Sequence, residues 1–232
     1  TLPWGDLTGI RPTKIPMKLL EEGWKNTEIA RYMRETYGVS NEKTALAITI
    51  ANREKALLQD LDYENGYSLY VGIPFCPSIC LYCSFGSHPL ERWTKRVDEY
   101  LDTLCKELTF IREQMGARKL TTVYIGGGTP TTLEPEQLRR LLSHIQETFD
   151  FTWVKEYTVE AGRPDSITKE KLQVLRNHGI NRISINPQTM KEETLRLIGR
   201  QHTVQQTIDS FKLAREVGFD NINICLLYTS DA

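Results

Sequence analysis

The chain has 232 residues, with 29 Lys plus Arg against 30 Asp plus Glu, five cysteines, 15 glycines and 40% apolar side chains. That length buries a sizeable core and that composition is globular, which excludes a disordered chain or a collagen-like fibre. A net charge of −1 offers no basic field for phosphates, so nucleic acid is not expected as the main partner. The sequence has no run of 18 uncharged apolar residues and no charged-then-apolar leader, so no membrane span is expected and a cytoplasmic location is.

Residues 1–65 predict a helical N-terminal segment, with helices near 13–22, 26–37 and 41–59. The last of these places Ala45, Ile48, Ala51 and Ala56 on one side. Asn65-Gly66 is a turn signal that closes the segment. From Ser68 onward strand and helix patterns alternate. Strands are predicted at 68–73, 121–125, 157–161, 182–186 and 221–225, and helices at 91–115, 135–148, 168–179, 191–198 and 204–217. Trp93, Val97, Tyr100, Leu101, Leu104, Leu108, Ile111 and Met115 share a face of the first of these helices. Pro135 suits a first helical turn, and Gly179 after His178 suits a helix end. This alternation predicts an α/β fold with a parallel sheet, open or closing into a barrel.

Cysteine placement is uneven. Cys76, Cys80 and Cys83 fall within eight residues in Cys76-Pro-Ser-Ile-Cys80-Leu-Tyr-Cys83, directly after the first strand, whereas Cys105 and Cys225 stand alone. An odd number concentrated in one loop fits metal or cluster ligation better than disulfides. Three thiolates this close can hold three irons of a cubane cluster and leave the fourth iron open. The competing reading is a structural zinc site that recruits His88 as a fourth ligand. After the second strand comes Tyr124-Ile-Gly126-Gly127-Gly128-Thr129-Pro130, whose glycines admit a ligand close to the backbone and leave N–H and C=O groups to bind it. The phosphate-loop and dinucleotide spacings are not met. Cys105 reads as a small core residue, the four histidines as solvated or capping, and Lys169-Glu-Lys171 as a solvated face.

The CxxxCxxC loop with Tyr82 before its last cysteine, followed one βα unit later by Gly126-Gly-Gly-Thr-Pro130, resembles the radical S-adenosylmethionine (SAM) superfamily. Leu69-Tyr-Val-Gly-Ile-Pro-Phe-Cys76 and Gly126-Gly-Gly-Thr-Pro-Thr131 resemble the oxygen-independent coproporphyrinogen III dehydrogenase family. Leu2-Pro-Trp-Gly5, Thr8-Gly-Ile-Arg-Pro-Thr-Lys14 and Leu81-Tyr-Cys-Ser-Phe85 resemble a HemZ-like bacterial branch of it. The resemblance runs from residue 1 to about residue 224. It implies a partial (β/α)6 barrel of the TIM type, truncated near the fifth strand, as residues 66–224, after the helical segment 1–65. It also implies a four-iron four-sulfur cluster on Cys76, Cys80 and Cys83, with SAM as the second cofactor. Tyr70, Tyr82, Gly127, Gly128, Thr129, Glu160, Gln188 and Arg200 match SAM contacts. Independently of the family, the cysteine loop, the glycine loop, Glu160 and Gln188 follow strands one to four in turn, which is where ligand-binding residues gather in a βα barrel.

The implied reaction is oxidative decarboxylation of coproporphyrinogen III propionates to vinyl groups. A tetrapyrrole substrate, a low-potential electron donor and an electron acceptor are then the expected partners. Two departures matter. Phe85 stands where the best-known dehydrogenases carry a further cysteine, a departure shared by heme-trafficking relatives, so a heme or porphyrin carrier that retains cluster and SAM stays open. Another radical SAM reaction stays open as well. Cys225 stands where the family has an acidic residue, and residues 225–232 are expected to be a non-native tail on a fragment of a longer protein.

Overall fold

The computed structural model of the chain describes residues 2–7, 11–59, 61–62 and 65–227, so the last five residues of the expected tail lie outside the described residues. The chain divides into two compact units, Thr1–Glu64 and Asn65–Ala232.

The first unit holds three helices, α1 (Lys14–Glu21), α2 (Asn26–Tyr37) and α3 (Asn41–Leu58). Gly38 ends α2 in the left-handed region, and the Ser40 hydroxyl accepts from the Lys43 N–H to start α3. Leu19, Leu20, Ile29, Met33, Val39, Ile48 and Ala51 form its core. The buried stripe of α3 is Thr44, Ala47, Ile48 and Ala51, and the expected Ala45 and Ala56 are exposed. A helix this rich in alanine carries little amphipathic contrast, so its packing partners choose the face.

The second unit is a five-stranded parallel sheet in the order β1 (Gly66–Ile73), β4 (Lys119–Gly127), β5 (Glu156–Gly162), β6 (Arg182–Gln188) and β7 (Ile222–Leu226). A short parallel pair, β2 (Phe75–Cys76) and β3 (His88–Pro89), brackets the cysteine loop. The expected helix 91–115 is interrupted. A four-residue α4 (Leu90–Trp93) and a turn through Arg96 precede α5 (Val97–Met115). Arg96 leaves the helical region and pairs with Glu99 at 2.9 Å, while Trp93 swings to His88, ring centroids 4.8 Å apart. The remaining helices are α6 (Pro135–Thr148), α7 (Lys169–Asn177), α8 (Glu192–Leu197) and α9 (Val204–Val217).

Register explains the two faces of the sheet. Val71, Ile125, Val159, Ile183 and Ile222 are successive cross-strand partners, and this apolar row packs into the core with Leu101, Leu104, Leu141, Leu142, Leu175 and Ala214 from the helices. One residue along, Tyr70, Tyr124, Thr158 and Arg182 are partners on the opposite face, and Glu160 pairs with Ser184. Alternation along each strand therefore separates an apolar, helix-covered face from a polar one. Cys105 is half-buried on α5 with its carbonyl 2.9 Å from His144 Nε2, so it stands at the border of the core rather than inside it.

Leu141 is fully buried. Leu141→Ala is expected to cost about 2–5 kcal/mol of unfolding free energy in urea, whereas a change at exposed Leu57 stays within about 0.5 kcal/mol.

Candidate functional site

The ends of parallel strands β1 and β4 lie side by side, so the loops that follow them meet. The Gly128 N–H donates to the Ile73 carbonyl at 2.7 Å and the Thr129 N–H to the Phe75 carbonyl at 2.8 Å. A Cβ on Gly128 would stand 2.7 Å from the Phe75 oxygen and 2.9 Å from Cys76 Sγ. Gly127 has a φ of +100°, and its Cβ would meet Ile73 at 3.1 Å. The glycines are thus required by the cysteine loop itself. This corrects one expectation: the Gly128 and Thr129 N–H groups are engaged by the chain and are not left over for a ligand. The Thr129 carbonyl likewise accepts from the Thr132 N–H and hydroxyl.

A cavity of about 240 Å³ opens at this pole of the sheet. Cys76, Cys80, Cys83, Tyr82, Gly127, Gly128, Thr129, Glu160, Gln188 and Arg200 all line it. Tyr70 stands one step away. It stacks on Tyr124, centroids 5.9 Å apart and rings 10° from parallel, and the Tyr124 hydroxyl donates to Glu160 Oε1 at 2.6 Å. His88 is exposed against Trp93 and lines a different cavity, away from the three thiols. Among the described residues, no three His, Cys, Asp or Glu side chains are arranged around one metal ion.

The cavity is electrostatically unusual. Burial pushes the Cys76 thiol above its ordinary range, the Thr129 and Ser87 side chains oppose this by hydrogen bonding, and Cys80 and Cys83 add to it. A buried Cys76 thiol that resists ionisation suits a group that supplies positive charge, since a coordinating metal deprotonates its thiols. The residues present fit an iron-sulfur cluster in this sense: the donors are three thiols on one wall, against a backbone stripped of side chains. Burial raises the Glu160 carboxyl, and the Tyr124 hydrogen bond partly restores it. Burial lifts Tyr82 to about 12 while the Arg200 guanidinium pulls it back.

Arg200 is 7% exposed and donates from Nη1 to the Asn186 carbonyl, while its buried Nε has no partner among the described residues. Arg200 is therefore a buried cation and not a surface one. Gln188 has a φ of +71°, the only positive value outside glycine among the described residues. Strain of this kind collects where the surroundings over-determine a functional position.

Several participants were missed from sequence. Tyr124 was readable only as a strand residue, although its place two before Gly126 puts it on the polar face. Arg163 is 2% exposed, and nothing in its local pattern beyond Gly162-Arg-Pro-Asp165 signals a buried charge. Lys171 is 8% exposed and donates from Nζ to the Thr131 carbonyl at 2.8 Å, so it does not belong to a solvated face. Its helix turns this position toward the glycine-loop turn Pro130–Thr132, and burial lowers its ammonium below the usual range. His202 is 2% exposed with neither ring nitrogen bonded among the described residues, which overturns a solvated or capping role for it.

The sequence profile of the Radical SAM superfamily matches residues 70–231, and the chain belongs to that superfamily. Its cofactors are a four-iron four-sulfur cluster and SAM. Within it the chain is 42% identical over 231 residues to the oxygen-independent coproporphyrinogen-III oxidase-like protein HemZ of Bacillus subtilis strain 168, covering 98% of this chain and 46% of that protein. It is 40% identical over 162 residues to the heme chaperone HemW of the same organism, covering 69% of this chain and 42% of HemW. The structure of coproporphyrinogen III oxidase (HemN) from Escherichia coli, described as a radical SAM enzyme, superposes with a TM-score of 0.64 at 33% identity, over 74% of this chain and 40% of HemN. The chain spans under half the length of these relatives; it is a radical SAM protein with an α/β fold, similar over its length to HemN, HemZ and HemW. Among the described residues no helix is long and apolar enough to cross a membrane.

Two outcomes follow from the geometry. Gly128→Ala is expected to displace the cysteine loop and lower the melting temperature, read by calorimetry, because the new Cβ meets backbone rather than a flexible side chain. Burial and the nearby Arg200 guanidinium hold the His202 imidazole down from 6.5 to about 4. The unfolded chain then binds the extra proton between those values, so stability is full above about 6.5 and falls as the pH drops towards 4. His202→Gln is expected to flatten the melting temperature against pH across that window.

Proposed function

We propose that Cys76, Cys80 and Cys83 ligate three irons of the cluster and that the fourth iron takes the amino and carboxylate groups of SAM. The observation that carries this reading is the convergence of the three thiols with Glu160, Gln188 and Arg200 on one cavity. Held there, the cluster and SAM would supply one-electron chemistry that generates a hydrogen-abstracting radical. The chain's own residues bind and orient. Glu160, aimed by Tyr124, would accept hydrogen bonds from the SAM amino group or a ribose hydroxyl; Gln188 at the end of β6 and Arg200 beyond it would offer further polar contacts. Gly127, Gly128 and Thr129 would stand beside the methionyl part, and Tyr70 and Tyr82 hold positions that match further SAM contacts of the family. The five strands, covered by helices on one face, form the wall of a partial (β/α)6 barrel comprising residues 66–224, with residues 1–65 as a separate helical segment.

For a protein of the relatives' full length, the activity proposed is oxidative decarboxylation of coproporphyrinogen III. Each propionate gives up one hydrogen atom to the deoxyadenosyl radical and one electron to an external acceptor. Carbon dioxide leaves and a vinyl group remains. A low-potential donor reduces the cluster for each round. The identity to coproporphyrinogen oxidase-like and oxidase proteins supports this reading. The similarity to heme chaperones, with Phe85 at the rim of the cavity in place of a further cysteine, favours a heme or porphyrin carrier as the second reading.

Anaerobic incubation of the full-length protein with coproporphyrinogen III, SAM and a reductant separates the two. Vinyl product with release of 5′-deoxyadenosine supports decarboxylation, and tight heme binding without vinyl product supports the carrier. At the level of the site, Cys76→Ser, Cys80→Ser or Cys83→Ser is expected to abolish the visible iron-sulfur absorption after reconstitution, while Cys105→Ser leaves it unchanged.

A further inference from the structure

The turn that follows β5, Gly162-Arg-Pro-Asp-Ser166, touches both loops of the site. The Arg163 side chain, 2% exposed, spends three nitrogens on directed bonds. Nε and Nη2 reach the two carboxylate oxygens of Asp165 at 3.0 and 2.6 Å. Nη1 reaches across to the cysteine loop and donates to the Ser78 carbonyl at 3.2 Å and the Ser78 hydroxyl at 2.6 Å. Ser78 lies between Cys76 and Cys80, and its hydroxyl donates onward to the Gly199 carbonyl at 3.0 Å. The neighbouring Leu81 N–H donates to the Ile198 carbonyl at 3.0 Å. The cysteine loop is therefore held from the β5 turn on one side and from the segment after α8 on the other.

The same turn grips the glycine loop. The Ser166 hydroxyl donates to the Arg163 carbonyl at 2.8 Å and lies 2.6 Å from the Thr131 hydroxyl, which in turn bonds the Ala161 carbonyl. Lys171 closes the set on the Thr131 carbonyl. Gly162, at φ +67°, passes so close to Thr129 that a Cβ would stand 3.0 Å from its methyl carbon.

A buried ion pair of this kind is a weak source of stability, because apolar side chains of equal volume hold a core as well without the desolvation penalty. What an apolar substitute lacks is direction. The guanidinium fixes Ser78 at one distance and angle from a carboxylate that is itself anchored in the turn. We propose that Arg163 is a positioning residue, which through Ser78 sets the cysteine loop in register with the glycine loop and so fixes where the thiols stand relative to the SAM wall. This rests on the proposed assignment of the cluster to Cys76, Cys80 and Cys83.

The test compares the wild-type chain with Ser78→Ala and with Arg163→Met combined with Asp165→Asn, which strands no carboxylate. Hydrogen exchange on the cluster-free chains is expected to show the Leu81 and Cys83 amides exchanging about tenfold faster in both variants, as the loss of a charge-assisted hydrogen bond predicts. The β5 amides are expected at wild-type rates. After anaerobic reconstitution, a chelator is expected to bleach the variants' clusters about tenfold faster than wild type. A Ser78→Ala chain whose loop amides exchange at the wild-type rate overturns the proposal, whether or not the Arg163 variant folds. Failure of the wild-type chain to assemble a cluster overturns the cysteine assignment instead, and the exchange rates still decide the role of Arg163.

Discussion

Two backbone hydrogen bonds hold the site together: Gly128 N–H to the Ile73 carbonyl and Thr129 N–H to the Phe75 carbonyl. They press the loop after β4 against the start of the cysteine loop at a distance that leaves no room for a Cβ. Parallel pairing of β1 with β4 delivers both loops to the same pole, and the glycines let them close. Cys76 then lies against bare backbone, with the Thr129 hydroxyl 3.6 Å from its sulfur. This contact fixes the start of the cysteine loop, and the bonds from Ser78 and Leu81 fix its middle next to Arg200.

Electrostatics follows from the same enclosure. Burial works against ionisation of Cys76 and of Glu160, which line the cavity. A cavity that disfavours isolated charge rewards a cofactor pair that brings compensating charges of its own. The Tyr70–Tyr124–Glu160 arrangement extends this logic along the polar face of the sheet, where a stacked ring and a short hydrogen bond aim one carboxylate. The Arg163–Asp165 pair solves the same problem with internal neutrality, which lets a full charge work inside the protein as a directional clamp.

The order of strands and helices was legible because alternation and 3.6-residue periodicity are strong in the second unit. Its apolar row is continuous across five strands. Half of the α3 stripe, Ile48 and Ala51, was read correctly, and Ala45 and Ala56 were not, since alanines look alike on every face. The break before α5 was missed because the apolar periodicity runs on through it, while the Arg96–Glu99 pair and the His88–Trp93 contact that accompany it suit a continuous helix as well as a broken one. The cysteine loop, Glu160, Gln188 and Arg200 were singled out by their places after successive strands and by the family resemblance, and they line one cavity. Arg163, Tyr124 and Lys171 were not, because a buried polar residue is defined by partners 36 to 85 positions away in sequence. The glycine loop lines the same cavity, but its Gly128 and Thr129 amides serve the neighbouring loop, a relation visible only once β1 and β4 are side by side.

The central claim is that three thiols leave one iron open to SAM. Electron-nuclear double resonance on the reduced, reconstituted protein with SAM labelled by nitrogen-15 at its amino group tests it most directly. The account predicts a hyperfine coupling between the cluster and that nitrogen, present with Cys76, Cys80 and Cys83 intact. A paramagnetic cluster that shows no coupling to the labelled amine with SAM bound would contradict it.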